Sequence, residues 1–436
     1  MSSRRPAPLT AVLAAAVVLL ATWLAGGVAT GQDPGTHPPA ARSSWVGTWA
    51  DVPTATPATA TPTMADETVR QVVHTSIGGD QLRLRLTNEF GDRPLRTGEV
   101  HVARRAGTSG TDIVPATDRT VTFGGHRSAT VPAGAPMLSD AVRLAVPARS
   151  DLVVSIYLPD PTPVTSLHAF AYQDNVIAAG NVTGARTVTA TSTVAQWYFL
   201  SGVSVRTSDR DAGAVVALGD SITNGFETEP NANHRWPDLL SNRLQSVPAL
   251  RDVGVLNLGV AGNRLLHDPN PPPGSDAENF AAFFGRSALA RFDRDVLAQP
   301  GARHVVVLLG VNDLGHPGTT APLSETVTAE EIIAAHRQII ARARAAGLDV
   351  YGGTILPFKD DTLGFYTEVN EAKRQAVNAW IRTSGEYDAV IDFDATMRDP
   401  ADPRRLRAAY DSGDHLHPND AGAAAMAATV PLHLFR

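Results

Sequence analysis

A serine that directly follows a short apolar run stands where a nucleophile would be expected. Ala214–Leu218 contains only aliphatic side chains, which predicts a buried strand, and Gly219-Asp220-Ser221 follows it on a turn. Asp220 alone could simply cap a following helix. A serine hydroxyl is a weak nucleophile, so it needs a base within hydrogen-bond reach, an acid that orients the base, and donors that stabilise an oxyanion.

The base and the orienting acid are found much later, in the segment from Asp411 to Asp420. Asp414 and His417 lie about one helical turn apart, so the carboxylate can accept from one ring nitrogen while the other nitrogen faces the serine. His415 competes for the role of base and Asp411 for the role of acid. The spacing favours His417 with Asp414, and Asp411 is interpreted as a residue that stabilises the loop.

Candidate oxyanion donors follow two further apolar runs. Gly259 and Gly262 come after the run that begins at Val253, and Asn312 comes after the run that begins at His304. A glycine amide can approach a substrate closely, and an asparagine NH₂ is a donor at any working pH. The sequence therefore predicts the amides of Ser221 and Gly262, or of Gly259 in its place, and the Asn312 side chain as donors.

These segments resemble the four sequence blocks of the SGNH hydrolases, the GDSL-type esterase and lipase superfamily, over roughly residues 206–436. The blocks are Gly219-Asp220-Ser221, Gly262, Gly310-Val311-Asn312-Asp313 and Asp414-His415-Leu416-His417. The resemblance implies a flavodoxin-like three-layer α/β/α fold with a five-stranded parallel sheet. It also implies Ser221 as nucleophile, Asp414 and His417 as the rest of the triad, and Ser221, Gly262 and Asn312 as the oxyanion hole.

The N-terminal 30 residues have the layout of a secretory signal peptide. Arg4 and Arg5 precede an apolar run from Leu9 to Leu24, and small residues follow it. Secretion is therefore predicted, with a membrane anchor formed by an uncleaved helix as the alternative. Residues 31–65, rich in Pro, Thr and Ala, are predicted to form a linker.

The composition narrows the classes of partner. The chain has 436 residues, a formal net charge of −7 and no cysteine. The acidic balance argues against nucleic acid, and the lack of cysteine excludes disulfides and thiolate metal sites. No cofactor and no metal requirement are predicted, since the acidic pair Asp392 and Asp394 is better explained by a turn or an arginine partner. The oligomeric state is not predicted.

Residues 66–205 predict a separate all-β sandwich or jelly-roll domain. The segment from Gln81 to Thr87 alternates strictly, with leucines on the core face and arginines facing outward. The arginines are interpreted as ordinary solvated residues, with a binding row for acidic sugars as the alternative. Further strands are predicted at Glu99–Ala103, Thr120–Phe123, Ser128–Val131, Ala141–Val146, Leu152–Leu158 and Trp197–Val205.

Residues 206–436 alternate between apolar strands and amphipathic helices, which predicts a parallel sheet covered on both faces. A capping box at Thr328 opens one helix, and a second helix over Val369–Arg382 is predicted to turn apolar residues inward, namely Ala372, Ala376, Val377, Trp380 and Ile381. Strands are predicted at Ala214–Leu218, Val253–Leu258, His304–Leu309, Val350–Leu356 and Ala389–Phe393.

Together these features predict a secreted serine ester hydrolase that acts on a small-molecule or polysaccharide ester. Because no long apolar groove is evident, short acyl groups, acetyl above all, are favoured. A lipase or general carboxylesterase is the alternative, and a carbohydrate-binding surface protein with an inactive hydrolase domain is an alternative of another class. The loop from Arg264 to Gly274, with Phe283 and Phe284, is predicted to overhang the cleft and shape the substrate pocket.

Overall fold

A computed structural model of the chain describes residues 44–207, 209 and 212–436, which form a β-rich region followed by an α/β region. The predicted signal peptide and the first part of the predicted linker lie outside these residues. None of the helices in the described ranges is both long and apolar enough to cross a membrane.

The β-rich region contains eighteen strands, several of them very short. In chain order they are β1 Ser44–Ala50, β2 Thr54–Ala55, β3 Thr63–Met64, β4 Glu67–Thr75, β5 Gly79–Thr87, β6 Leu95–Thr97, β7 Val100–Arg104, β8 Arg119–Val121, β9 Ala129–Val131, β10 Pro136–Leu138, β11 Val142–Val146, β12 Ser150–Leu158, β13 Thr162–Pro163, β14 Ser166–His168, β15 Asn175–Ala179, β16 Ser192–Val194, β17 Trp197–Tyr198 and β18 Leu200–Thr207.

Two antiparallel sheets dominate this region. One has the order β1-β18-β5-β10, with β11 also paired to β5, and the other has the order β16-β15-β4-β12-β7-β8. Leu82, Leu84 and Leu86 of β5 are fully buried in the same hydrophobic cluster as Val154 of β12. The alternation along β5 thus places its leucines in the core, and the predicted all-β architecture is confirmed.

The predicted linker over residues 31–65 is wrong from residue 44 onward. β1 pairs with β18, and its Val46 and Trp49 are buried. β2 and β3 pair with β14 and β13. The Pro-rich composition reads as a spacer, but prolines are tolerated beside edge strands of only two residues. The segment therefore belongs to the folded β-rich region.

The α/β region contains five parallel strands and eight helices. The strands are β19 Gly213–Gly219, β20 Val253–Gly259, β21 Ala302–Leu308, β22 Asp349–Gly353 and β23 Ala389–Ile391. The helices are α1 Ser221–Asn224, α2 Trp236–Gln245, α3 Ala288–Phe292, α4 Val311–Gly315, α5 Ala329–Ala345, α6 Glu368–Thr383, α7 Phe393–Met397 and α8 Asp420–Thr429. Short 3₁₀ turns occur at Pro248–Leu250, Asp276–Asn279, Ala281–Phe284, Leu323–Glu325 and Leu432–Phe435, with a π turn at Asp293–Leu297.

The parallel sheet has the order β20-β19-β21-β22-β23, the flavodoxin-like order 2-1-3-4-5. Helix α2 packs with α8 in one helical layer, and α5 packs with α3 and α6 in the other. The predicted three-layer α/β/α fold is confirmed. Because the chain reverses its winding direction beside β19, the carboxyl ends of β19, β20 and β21 form the crevice where such folds bind ligands.

Sequence periodicity predicted the buried face of α5 correctly and that of α6 only in part. Helix α5 begins with the predicted capping box, in which Thr328 and Glu331 exchange hydrogen bonds. In α6, however, Ala372 and Ala376 are exposed, while Glu371, Arg374 and Asn378 are buried with Val377 and Ile381. Arg374 is fully buried because it pairs with Glu371 and with Asp394 beyond β23, a partner that a helical pattern cannot show.

The β-rich and α/β regions are in direct contact along the chain's described part, and residues 42–436 form one compact unit. The N–H of Gly47 in β1 donates to the carbonyl of Pro300, and a Cβ on Gly47 would collide with Leu256 of β20. The boundary predicted between residues 205 and 206 falls inside β18. The two regions therefore meet over close backbone contacts.

Candidate active site

Ser221 begins α1 immediately after β19, at the carboxyl edge of the sheet. The Asp220 side chain caps this one-turn helix by accepting from the N–H of Ile222 at 3.0 Å. Burial raises the pKa of Asp220 to about 7, and the nearby Asp313 adds to the effect. The cap and the buried strand together hold the Ser221 side chain at the start of the turn.

The structure brings Ser221, His417 and Asp414 together although 196 positions separate the serine from the histidine. His417 Nε2 lies 2.8 Å from Ser221 Oγ, and His417 Nδ1 lies 2.5 Å from Asp414 Oδ2. Both distances are within hydrogen-bond range. The imidazole therefore links the hydroxyl to the carboxylate, as the spacing of Asp414 and His417 predicts.

Asp414 is held as an ionised group. Its half-buried position raises the pKa, but the hydrogen bond from His417 and the N–H groups of Leu416 and His417 outweigh this and hold the pKa well below its usual range. The hydroxyl of Ser412 donates to the same carboxylate. A permanently charged Asp414 fixes the orientation of the imidazole and stabilises its protonated form.

The competing pair, Asp411 and His415, forms a second hydrogen-bonded couple beside the first. His415 Nδ1 lies 2.5 Å from Asp411 Oδ2, and the His415 side chain is 46% exposed. Asp411 Oδ1 also accepts from the N–H groups of Gly413 and His415. Asp411 thus shapes the loop, and His415 bonds Asp411 and does not line the cavity at Ser221.

Gly262 and Asn312 face Ser221 across one cavity, which all three residues line. Gly262 has φ of +72°, and a Cβ there would lie 2.2 Å from the Phe284 ring, so only glycine fits. Asn312 uses one NH₂ hydrogen to bond the carbonyl of Asn263 at 3.0 Å, which leaves the other free to donate. Gly259 is not placed to compete, because its N–H donates to Asn257.

A fully buried arginine that the sequence analysis did not single out ties these segments together. Arg291 of α3 donates to the carbonyls of Gly219 and Leu258 at the ends of β19 and β20, and to the side chain of Asn263. Asp295 pairs with the guanidinium. Arg291 thereby fixes the strand ends relative to the carbonyl of Asn263 that orients Asn312. In the sequence, the only indication of this role is an arginine within an otherwise apolar helix.

The cavity that Ser221 and His417 share is predominantly apolar and has a volume of about 300 Å³. Phenylalanine side chains form much of its wall, from both regions of the chain: Phe170, Phe226, Phe280, Phe284 and Phe365. Phe226 packs on the His417 ring at 4.7 Å between centroids. The contribution of Phe170, which comes from the β-rich region, was not predicted.

Two buried polar groups, the ring of His316 and the hydroxyl of Thr320, interrupt this apolar wall. His316 packs between Phe284 and Phe365, and neither ring nitrogen makes a hydrogen bond to another described residue. Burial, with a contribution from the charge of Arg264, lowers its pKa to about 3, so the imidazole is neutral. Thr320 lines the same cavity and has a buried hydroxyl oxygen without a partner among the described residues.

The predicted role of the loop from Arg264 to Gly274 is only partly matched. None of its residues lines the cavity, whereas Phe284 does and Phe283 packs against Phe170 instead. Arg264 pairs with Glu325 and holds the loop to a neighbouring turn. The loop thus lies beside the cavity and supports its wall, because its Arg264 side chain forms an ion pair there and does not line the cavity.

Asp392 and Asp394 form ion pairs with arginines, the explanation that the sequence favours over a metal site. Arg382 bonds both carboxylates, and Arg374 bonds Asp394.

A comparison with protein families matches residues 217–425 to the GDSL-like lipase/acylhydrolase family. This segment is a GDSL-like lipase/acylhydrolase domain. It spans α1, the carboxyl edge of the parallel sheet and the loop that carries Asp414 and His417. The match supports ester hydrolysis as the activity of this domain. None of the curated proteins compared matches it.

Solved structures of GDSL proteins resemble about half of the chain. A G-D-S-L family protein from Desulfitobacterium hafniense is 21% identical, with a TM-score of 0.34, over 50% of this chain and 96% of its own. A GDSL-like lipase from Bacteroides thetaiotaomicron is 18% identical, with a TM-score of 0.36, over 51% and 87%. A catalytic mutant of an acetylxylan esterase from Geobacillus stearothermophilus is 18% identical, with a TM-score of 0.37, over 50% and 91%.

One group in the described part of the GDSL domain has the spacing of metal ligands: Glu229, His234 and Asp420, whose ligand atoms lie within 4.8 Å of one another. His234 Nδ1 already lies 2.6 Å from Asp420 Oδ2, and Asp420 also accepts from the N–H of Glu229. The group is explained as an N-terminal anchor of α8.

Proposed function

We propose that the GDSL domain hydrolyses carboxylic esters by covalent catalysis at Ser221, with His417 as general base and Asp414 as the residue that orients it. The observation that carries this proposal is the continuous hydrogen-bonded chain from Asp414 through His417 to Ser221 Oγ. A serine hydroxyl gains nucleophilic strength from such an adjacent base, which is itself oriented by a third group.

In the first half of the reaction, Ser221 Oγ attacks the ester carbonyl carbon while His417 Nε2 takes the hydroxyl proton. The carbonyl π electrons move onto oxygen, and the resulting oxyanion accepts hydrogen bonds from the amides of Ser221 and Gly262 and from Asn312. When the tetrahedral species collapses, the C–O bond to the alcohol breaks and His417 returns the proton to the leaving oxygen.

In the second half, a water molecule replaces the alcohol. His417 removes a proton from the water as its oxygen attacks the acyl carbon, and the same donors stabilise the second oxyanion. Collapse breaks the bond to Ser221 Oγ, which recovers its proton from His417. The products are a carboxylic acid and an alcohol, and the residues return to their starting protonation states.

The wall of the cavity favours acyl groups larger than acetyl. The sequence analysis favoured acetyl because no apolar groove was evident, yet the cavity beside Ser221 is lined by phenylalanines and has a volume of about 300 Å³. Each methylene buried in such a site is worth about 0.8 kcal/mol. We therefore propose compact apolar acyl groups as the preferred class, with neutral His316 and Thr320 as polar side chains in the wall.

A panel of p-nitrophenyl esters of increasing acyl length, together with acetylated xylan, tests this function in the wild-type protein and in Ser221→Ala. We expect turnover that depends on Ser221 and rises from acetyl to a maximum at compact acyl groups such as butyryl. A maximum at acetyl would instead support the deacetylase, and a continuous rise to long chains would support a lipase. Absence of any turnover dependent on Ser221 would support the inactive, carbohydrate-binding alternative.

We also propose that the protein is exported, on the basis of the signal-like layout of residues 1–30. N-terminal sequencing of protein collected from the culture medium tests this. A new N-terminus near Ala29–Gly31 supports cleavage, whereas an intact N-terminus recovered with the membrane fraction supports the anchor.

A further inference from the structure

A second cavity lies on the β-rich region, and its lining shares no residue with the cavity at Ser221. Its volume is about 320 Å³, within the range of small-molecule sites. The outer side chains of β5 meet those of β10 here, and the turn at Gln299 and Pro300 closes one side. The site thus lies where the β-rich region meets the GDSL domain.

Three side chains that line this cavity have buried N–H groups without a hydrogen-bond partner among the described residues. The atoms are Arg83 Nε, Arg85 Nη2 and Gln299 Nε2. Gln299 is only 6% exposed, so its NH₂ group is shielded from bulk solvent. Leaving a buried donor unpaired costs roughly 1–3 kcal/mol, and three in one cavity is unusual for a native structure.

The arginines of this cavity interact with carboxylates only over a longer distance, Arg83 with Asp140 and Arg85 with buried Asp51. No acidic side chain lines it, and neither Arg83 nor Arg85 has a carboxylate within ion-pair distance in the described ranges. Arg83 stacks on the Trp45 ring at 4.3 Å, and Arg85 Nε donates to Ser201, so both guanidinium groups are held in place. The arginines are therefore preorganised donors rather than freely solvated side chains.

The remaining lining is apolar and suits the body of a ligand. Trp49, Pro136 and Met137 contribute to it, and Leu138, at 50% exposure, stands at the solvent side. An aromatic side chain beside fixed hydrogen-bond donors is a typical binding surface for a molecule with one apolar face and one charged group. A carboxylate offers about four acceptor sites on two oxygens, which matches converging N–H donors.

We propose that this cavity binds a carboxylate-bearing saccharide, a uronic acid residue, with the carboxylate at Arg83, Arg85 and Gln299 and the sugar ring against Trp49 and Met137. The leucines of β5 then form the hydrophobic core on one face, and its arginines bind the ligand on the other face. The outward arginines are a binding row for an acidic sugar, which the sequence analysis ranked below simple solvation.

Binding of methyl glucuronoside to the full chain carrying Ser221→Ala, measured by calorimetry and by tryptophan fluorescence, tests this proposal. Methyl glucoside, which lacks the carboxylate, and hexanoate, which lacks the sugar, are the comparison ligands. We expect the glucuronoside to bind at least about tenfold more tightly than either one, and more weakly as salt is raised.

Arg83→Gln removes the positive charge and the guanidinium donors, and Gln299→Leu removes the NH₂ group. Both should weaken glucuronoside binding about tenfold or more while leaving ester turnover unchanged on a Ser221 background. Arg104→Gln, on an exposed side chain at the end of β7, is the matched control and should bind as tightly as the parent. Thermal unfolding of each variant confirms that it is folded.

Equal binding of glucoside would overturn the role of the carboxylate, and preferential binding of hexanoate that Arg83→Gln weakens would overturn the saccharide. Absence of binding by all three ligands would mean that only water satisfies the donors, which also overturns the proposal. The comparison among ligands uses one folded protein, so it decides the matter even if a variant fails to fold.

Discussion

The loop from Asp411 to His417 contains two aspartate–histidine pairs, and the same substitution in each pair is expected to have very different effects. In Asp414→Asn, the retained Oδ1 still accepts from the N–H groups of Leu416 and His417, so the loop keeps its shape. The new NH₂ group, however, faces His417 Nδ1 at the position where Oδ2 lies 2.5 Å away.

Because an amide nitrogen donates, His417 must turn an unprotonated Nδ1 toward residue 414 and carry its proton on Nε2. An Nε2–H that points at Ser221 cannot accept the hydroxyl proton. The equivalent tautomer change in serine proteases lowers kcat by about 10⁴, which corresponds to roughly 5.5 kcal/mol of activation free energy. We expect a loss of that order, with KM little changed.

Asp411→Asn is the matched control, because it makes the same change one turn away on the exposed pair. We expect less than about a threefold change in kcat, since a surface pair contributes little. Initial rates with p-nitrophenyl butyrate, at one fixed pH for all variants, measure both effects. A tenfold or smaller loss in folded Asp414→Asn, or an equal loss in Asp411→Asn, would refute the assignment of the acid.

Three further predictions concern the same domain. Asn312→Ala should lower kcat by about 10²–10³ through loss of an oxyanion donor, and a smaller fall in a folded variant would remove Asn312 from the hole. From acetyl to butyryl esters, kcat/KM should rise about 15-fold, at 0.8 kcal/mol per methylene, and Phe284→Ala should flatten that rise. Since burial raises the pKa of Asp220 to about 7, the folded state retains a proton that the unfolded state loses, so this contribution to stability is present at low pH and disappears as pH rises through 7. In urea unfolding, the free energy of unfolding of Asp220→Asn should therefore rise relative to that of the wild type between about pH 4 and 8, by up to about 4 kcal/mol. Parallel plots of this free energy against pH for the two proteins would contradict the raised pKa.

The sequence predicted the parallel sheet well because its signals are local. Each of these features depends on a few neighbouring residues: the five apolar strands, the capping box at Thr328 and the turn at Ser221. Asp414 and His417 are close in sequence, so their pairing could also be predicted from spacing alone. Their approach to Ser221 required knowledge of how the parallel strands lie side by side.

Features that depend on distant partners were missed. The buried face of α6 holds Arg374, whose partner Asp394 lies in a later element. Arg291 is buried because it donates hydrogen bonds to the carbonyls at the ends of two strands. Hydrophobic periodicity cannot predict such contacts. The strand Ser44–Ala50 was assigned to a linker because its pairing partner, β18, is more than 150 residues away.

The contact between the two regions also has a consequence for how this enzyme can be divided. Asn224, at the end of the turn that starts with Ser221, meets His168 at 2.6 Å and donates to the carbonyl of Phe170. Phe170 in turn forms part of the wall around the substrate cavity. A chain that starts at residue 213 would keep Ser221, His417 and Asp414, yet it would lose one wall of the cavity and the contacts of Asn224 with the β-rich region. We therefore expect the GDSL domain produced alone to have a more open cavity than the full chain, because Phe170 belongs to the β-rich region.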